Sequence, residues 1–162
     1  MTTPKIAKIS LAKFTAQDYH LYHQVLSDET VMKSVTGKAI DNDEIKRAFD
    51  TVLMSNTEHD NFGYFKIYHH DKYAGFVKFK LYEQNLAELG YFILPQFWHK
   101  GIANFIISHF IDIAKDKNIN LFATVNKQNA ISKHLLTKYG FVYQHDDMVD
   151  GLVGEYWRLN FK

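Results

Sequence analysis

The sequence predicts an α+β (mixed α/β) fold in which helices pack on a central, mostly antiparallel sheet. Three observations carry that expectation. The first third of the chain is punctuated by helix caps. Residues 63–94 are rich in aromatic and β-branched types broken by short polar turns. A segment with helical spacing, Gly101 to Lys117, then separates these strands from later ones.

Taken in order, Ile6 to Phe14 reads as a first strand. Thr15 is a helix N-cap, with Asp18 in the first turn, for a helix from about Ala16 to Leu26. Asp28 to Lys33 forms another helical turn closed by Gly37, and Asp41 caps a longer helix to about Asn56. Tyr64 to Tyr68 and Tyr73 to Leu81 flank the polar turn His69-His70-Asp71-Lys72 as a hairpin. Beyond Glu83-Gln84-Asn85, Ala87 to Leu94 adds a third strand that Pro95 ends. Ile102, Phe105, Ile106, Phe110, Ile113 and Ala114 mark one buried helical face, with Asn118 as its stop. Leu121 to Val125 is a strand, Ala130 to Tyr139 a helix ended by Gly140, and two closing strands fall near Phe141 to Gln144 and Glu155 to Phe161.

At 162 residues, 46% hydrophobic and 23% charged, the chain is expected to form a single domain, 1–162, with one core. It has no cysteine, so disulfides, thiolate metal sites and a protein sulfur nucleophile are excluded. Net charge is +1 with scattered Lys and Arg, which argues against a nucleic-acid partner. The start of the chain lacks a signal-peptide core, and no stretch reaches the roughly eighteen apolar residues of a membrane span, so the expectation is a cytoplasmic protein without a membrane partner. H-E-x-x-H is absent, and His20 with His23, or His69 with His70, lack a third ligand nearby, so no metal site is expected.

The stretch that carries chemistry is Glu88-Leu89-Gly90-Tyr91-Phe92-Ile93-Leu94-Pro95-Gln96-Phe97-Trp98-His99-Lys100-Gly101-Ile102-Ala103, a strand passing through a tight loop into a helix. The first N–H groups of a helix lack internal partners and sit at its positive end, so such a junction suits a phosphate. Gly101 and Ala103 are small enough for a ligand to approach the backbone, and Lys100 can add a charged contact. The dinucleotide pattern G-x-G-x-x-G and the triphosphatase pattern G-x-x-x-x-G-K-[ST] are both absent.

This stretch resembles motif A of the GNAT acyltransferases, [RQ]-x-x-G-x-[GA], and in particular their ribosomal-protein N-acetyltransferase-like subgroup. Asp28-Glu29-Thr30-Val31-Met32, Glu88-Leu89-Gly90-Tyr91, Trp98-His99-Lys100-Gly101-Ile102-Ala103, Asn129-Ala130-Ile131-Ser132 and Lys138-Tyr139-Gly140-Phe141 follow in the order that subgroup shows. Trp98 stands where the motif asks for Arg or Gln, and His99 where the subgroup often has Gly. The resemblance implies a GNAT-like splayed sheet and acetyl-CoA as cosubstrate. It places the pantetheine arm along the backbone of Tyr91, Phe92 and Ile93. The pyrophosphate would rest on the amides of His99, Lys100, Gly101, Ile102, Ala103 and Asn104, with Asn129 contacting the cofactor.

The implied reaction is direct attack of a primary amine on the thioester, which needs a base, an oxyanion donor and an acid for the thiolate. The resemblance points to a backbone N–H near Phe92 or Ile93 as oxyanion donor. Glu88 or Glu155 is the candidate base, and Ser132 the candidate acid, since Leu136 stands where many relatives carry tyrosine. Glu88, Asp150 and Glu155 are also acids that could recognise a cationic acceptor, either a small molecule or a protein N-terminus. The alternative is a non-catalytic acyl-CoA-binding module on the same fold. An exposed edge of the closing strands could pair in a homodimer.

Overall fold

The computed structural model describes residues 8–149 and 152–161. The chain runs β1 (Ile9–Lys13), a single 3-10 turn (Ala16–Asp18), α1 (Tyr19–Leu26), α2 (Glu29–Val35), α3 (Asn42–Glu58), β2 (Gly63–His69), β3 (Lys72–Glu83) and β4 (Leu86–Ile93). A second 3-10 turn (Pro95–Phe97) leads to α4 (Ile102–Asp116), β5 (Asn120–Asn126), α5 (Ala130–Lys138), β6 (Val142–Val149) and β7 (Leu152–Leu159). The strands form one seven-stranded sheet in the order β1-β2-β3-β4-β5-β7-β6. Neighbours are antiparallel except β4 and β5, which run parallel because α4 crosses between them. Among the described residues no helix is long and apolar enough to cross a membrane.

Local chemistry explains most boundaries. Asp28 accepts the Val31 N–H at 3.0 Å to start α2, and Asp41 accepts the Glu44 N–H at 2.8 Å to start α3. The β2–β3 turn is made by His70 and Asp71, at φ 50° and 65°, the left-handed pair that matches the twist of a tight hairpin. Asn118, at φ 55°, follows the end of α4.

The differences from the sequence reading are local. Ile6 and Ala7 of the expected first strand, and Asp150, lie outside the described residues. The helix expected from Ala16 begins as a 3-10 turn, because the Asp18 carboxylate folds back to the Thr15 N–H at 2.8 Å. The closing strands are a longer hairpin than expected, since β6 continues through His145-Asp146-Asp147-Met148 to Val149. Asp146 and Asp147 have little intrinsic strand preference. Pairing with β7 and the stacking of His145 on Tyr156, centroids 4.9 Å apart, hold them extended.

Alternation along the strands divides the apolar side chains between two layers. On one face Ile67, Val77, Phe79, Leu89 and Leu121 pack against Ile106, Ile107 and Phe110 of α4. On the other, Phe14, Phe76 and Leu94 meet Tyr22 and Val25 of α1, Val31 and Met32 of α2, and Ile45, Phe49 and Val52 of α3. Phe76 and Phe92 stack across β3 and β4 at 4.6 Å.

A largely buried ion pair ties the entry of α1 to the sheet: Lys66 Nζ lies 2.8 Å from Asp18 Oδ2. Burial opposes the charge on Asp18, but hydrogen bonds from Lys66 and Thr15 outweigh it and hold its carboxyl below the ordinary value. A depressed carboxyl contributes stability that is present above its unfolded pKa, about 3.9, and is lost as pH falls through the folded value. Asp18→Asn strands Lys66 in a poorly solvated place and is expected to cost about 3 kcal/mol near neutral pH. Urea unfolding of parent and variant should show that difference above about pH 4 and lose it progressively below.

Candidate active site

The site arises where β4 and β5 part. They pair only at Leu86↔Asn120, Ala87↔Leu121 and Glu88↔Phe122 and diverge beyond, while β4 stays paired with β3 up to Ile93. Leu94 N–H donates to the Ala74 carbonyl of β3 at 2.8 Å. By the two-residue alternation of a strand, the N–H and C=O of Phe92 and Gly90 also face β3, and those of Ile93 and Tyr91 face the gap. This corrects the expectation for Phe92, whose backbone groups are spent on the ladder. The Ile93 carbonyl is also taken, by the Trp98 indole N–H at 2.7 Å. What remains for a ligand is the Tyr91 amide pair and the Ile93 N–H, and of the two oxyanion candidates only Ile93 faces the opening.

At the far end of the gap stands the N-terminus of α4. Its first backbone bond runs from Phe105 N–H to the Gly101 carbonyl, so the amides of Ile102, Ala103 and Asn104 precede the helical ladder. His99 and Gly101 are both left-handed, at φ 61° and 80°, and alternating backbone of this kind can form an anion-binding concavity. A Cβ on Gly101 would meet no atom within 4 Å, so the loop opens to space there.

Two cavities fill the gap. One, about 500 Å³, is lined by Tyr91, Phe92, Ile93, Trp98, His99 and Gly101 to Asn104 together with the start of α5. The other, about 630 Å³, lies beyond it against Tyr22, Tyr64, Lys78, Glu88 and Thr124. They share Ser34, Val35, Tyr91, Phe92, Asn129 and Ser132, so they meet at a single junction between β4, α2 and α5. Lys100 lines neither, so its expected charged contact is not built into either wall.

The junction is held by side chains. Asn129 caps α5, accepting the Ser132 N–H at 3.1 Å and donating to the Ser34 carbonyl of α2 at 3.2 Å. Each end of its amide thereby makes one bond and keeps a second N–H and a second acceptor site for a ligand. Tyr91 reaches from β4 to donate its hydroxyl to Ser132 Oγ at 3.1 Å. Burial raises the Tyr91 phenol above its ordinary pKa. Asn104 accepts from Lys138 Nζ and the Tyr139 hydroxyl, each at 2.9 Å, fastening α4 to the end of α5.

The two candidate bases are separated by the fold. Glu88 lines the larger cavity; Lys78 Nζ at 2.7 Å and the Tyr82 hydroxyl at 3.0 Å both meet its Oε1. Burial works against the Lys78 charge, but Glu88 beside it more than compensates and raises its pKa above the ordinary lysine value. Glu155 lines neither cavity: it is buried, with Trp157 Nε1 at 3.1 Å from Oε1 and Lys133 Nζ at 3.4 Å from Oε2. Its two oxygens are taken up by the packing of α5 on β7. Leu136, the tyrosine position of many relatives, is a buried apolar residue in the wall of the larger cavity. Sequence reasoning missed Lys78 and the hydroxyl of Tyr91, which no motif marks.

A parallel crossover beside a splayed strand, ending on a helix N-terminus, leaves an open cleft suited to a cosubstrate that carries phosphate. The chain belongs to the GNAT acetyltransferases: the family model "Acetyltransferase (GNAT) domain" matches residues 8–142. It is accordingly an acetyl-CoA-dependent N-acetyltransferase, with acetyl-CoA as cosubstrate and an amine as acceptor. Among solved structures it is similar to a GNAT-family acetyltransferase from Bacillus anthracis (TM-score 0.75, 17% identity, 96% of each chain). It is also similar to the Salmonella typhimurium acetyl transferase that modifies the N-terminal serine of 50S ribosomal protein L7/L12 (TM-score 0.77, 14% identity, 95% of each chain). A third is spermidine N-acetyltransferase from Vibrio cholerae in complex with CoA and spermine (TM-score 0.72, 20% identity, 93% of this chain and 92% of that one). No curated protein matches the sequence.

Proposed function

We propose that the chain acetylates a primary amine bound in the larger cavity, with the coenzyme A arm in the smaller one and the thioester at their junction. The observation that carries this reading is the meeting of the two cavities at Tyr91, Phe92, Asn129 and Ser132. The pyrophosphate lies on the amides from His99 to Asn104, the Ile93 N–H donates to the oxyanion, and the Ser132 hydroxyl donates to the leaving sulfur. Glu88 takes the proton of the attacking amine through water, since its Oε2 has no partner among the described residues.

The charged residues lining the larger cavity are Lys38, Lys78, Glu44 and Glu88, two of each sign. A cavity balanced in this way does not select a polycation by its field. We therefore favour a protein N-terminus or a singly charged small amine over a polyamine, and thiol release with a free-N-terminus peptide should exceed that with spermidine. Strand β6 forms one edge of the sheet and exposes Val142 and Met148, which supports pairing in a homodimer.

The residue assignment is tested by two isosteric variants. Glu88→Gln is expected to lower kcat about a hundredfold near neutral pH while calorimetry shows acetyl-CoA affinity unchanged. Glu155→Gln is expected to leave kcat within about threefold and to lower the melting temperature, because it uncouples Lys133 in the packing of α5. The reverse pattern would exchange the two roles.

A further inference from the structure

We propose that Tyr91 is a positioning residue for the departing thiolate, acting through Ser132; this rests on the reading of Ser132 given above. A serine hydroxyl offers one hydrogen and two acceptor sites. Serine and threonine in a helix often spend that hydrogen on their own backbone, as Ser34 does on the Val31 carbonyl at 2.7 Å and Thr137 on the Lys133 carbonyl at 2.8 Å. Ser132 does not: among the described residues its Oγ has one partner, the Tyr91 hydroxyl, which donates to it at 3.1 Å. With Tyr91 as the donor of that bond, the Ser132 hydrogen is free for a third atom at the junction of the two cavities, where the sulfur must lie for the acyl group to face an amine.

The fold makes this arrangement stiff. Ser132 is fixed from below by its N–H bond to the Asn129 side chain, and Tyr91 stands on the strand edge whose amides face the gap. A phenol that donates to a hydroxyl polarises it, so the hydroxyl becomes a better donor to a third atom. The chain Tyr91 to Ser132 to sulfur thus stabilises developing negative charge on sulfur by hydrogen bonds alone. No proton leaves Tyr91, and burial favours its protonated form. This supplies the leaving-group donor that the apolar Leu136 cannot.

The test uses free coenzyme A, whose thiol is the product of the reaction, and needs no acceptor. Because the protein has no cysteine, the thiolate absorbance, read as the difference between the complex with coenzyme A and the complex with desulfo-coenzyme A so that the ten tyrosines cancel, belongs to coenzyme A alone. Titrating the complex with pH gives the ionisation constant of the bound thiol. Ser132→Ala is expected to weaken that ionisation about tenfold and Tyr91→Phe about threefold, with coenzyme A affinity at neutral pH changed less than threefold in either. In the Ser132→Ala background Tyr91→Phe should have no further effect, and Ser132→Thr, which keeps a hydroxyl, should restore the Tyr91 dependence. Equal effects of Tyr91→Phe in both backgrounds, or none in the parent, would overturn the role of Tyr91 while leaving that of Ser132 standing. An unchanged ionisation in Ser132→Ala would remove Ser132 itself, and Tyr91 with it.

Discussion

Gly101→Asp is expected to weaken acetyl-CoA binding by about a hundredfold, or about 2.7 kcal/mol, whereas Gly101→Asn should stay within about tenfold of the parent. The two side chains have nearly the same shape and differ in charge. Gly101 sits at φ 80°, and Asn and Asp are the non-glycine residues that tolerate this region best, so both variants carry a similar, modest backbone cost. Nothing lies within 4 Å of the added Cβ, so neither should disturb the fold. A carboxylate there stands in front of the Ile102, Ala103 and Asn104 amides and repels a diphosphate at the positive end of α4. Calorimetric titration with acetyl-CoA, and with NAD as a comparator, separates charge from shape. Equal affinities for the two variants would move the pyrophosphate away from this helix.

The same stretch shows how far sequence could see. The helix N-terminus was legible because its physics is local: strand, loop, glycine and amphipathic helix lie within a few residues of one another. The gap beside it was not legible from the residues alone. Nothing in Leu89 to Ile93 states that β5 leaves β4 after Glu88, and only the resemblance to a splayed-sheet family supplied that expectation. Trp98 was noticed as a departure from the motif, but its indole bond to the Ile93 carbonyl depends on the angle between strand and loop. Glu88 and Glu155 looked equivalent in sequence because both are acids on strands. They separate only when β7 turns Glu155 onto Lys133 and Trp157 while β4 leaves Glu88 in the cavity wall. The Tyr91–Ser132 bond joins positions 41 residues apart, and no spacing rule reaches that far.

Gly75→Ala is expected to be the most disruptive single change in the sheet, costing about 4 kcal/mol and lowering the melting temperature by roughly 8–16 °C. Gly75 lies opposite Ile93 in the β3–β4 ladder, at φ 144°. A methyl group there would stand 2.0 Å from the Phe92 carbonyl oxygen and 3.0 Å from the Ile93 Cα. Both are backbone atoms, so no rotamer change relieves the contact, and the left-hand half of φ space adds its own strain for an L side chain. The strand that must yield is the one whose free edge carries the Tyr91 and Ile93 amides. Moving it also breaks the Phe76–Phe92 stack that seats the sheet on α1 to α3. Acetyl-CoA affinity should therefore fall together with stability, by at least about tenfold at a temperature where the variant is folded. Gly90→Ala, on β4 and in the wall of the larger cavity, is the control. Its Cβ would have only the Lys78 Cβ nearby, at 3.9 Å, an ordinary contact. Its stability should stay within about 1 kcal/mol of the parent. Thermal unfolding and calorimetric titration of the two variants then separate a close approach between β3 and β4 from a general preference for glycine around the cleft. If Gly75→Ala loses stability but binds acetyl-CoA normally, the free edge of β4 does not carry the pantetheine arm.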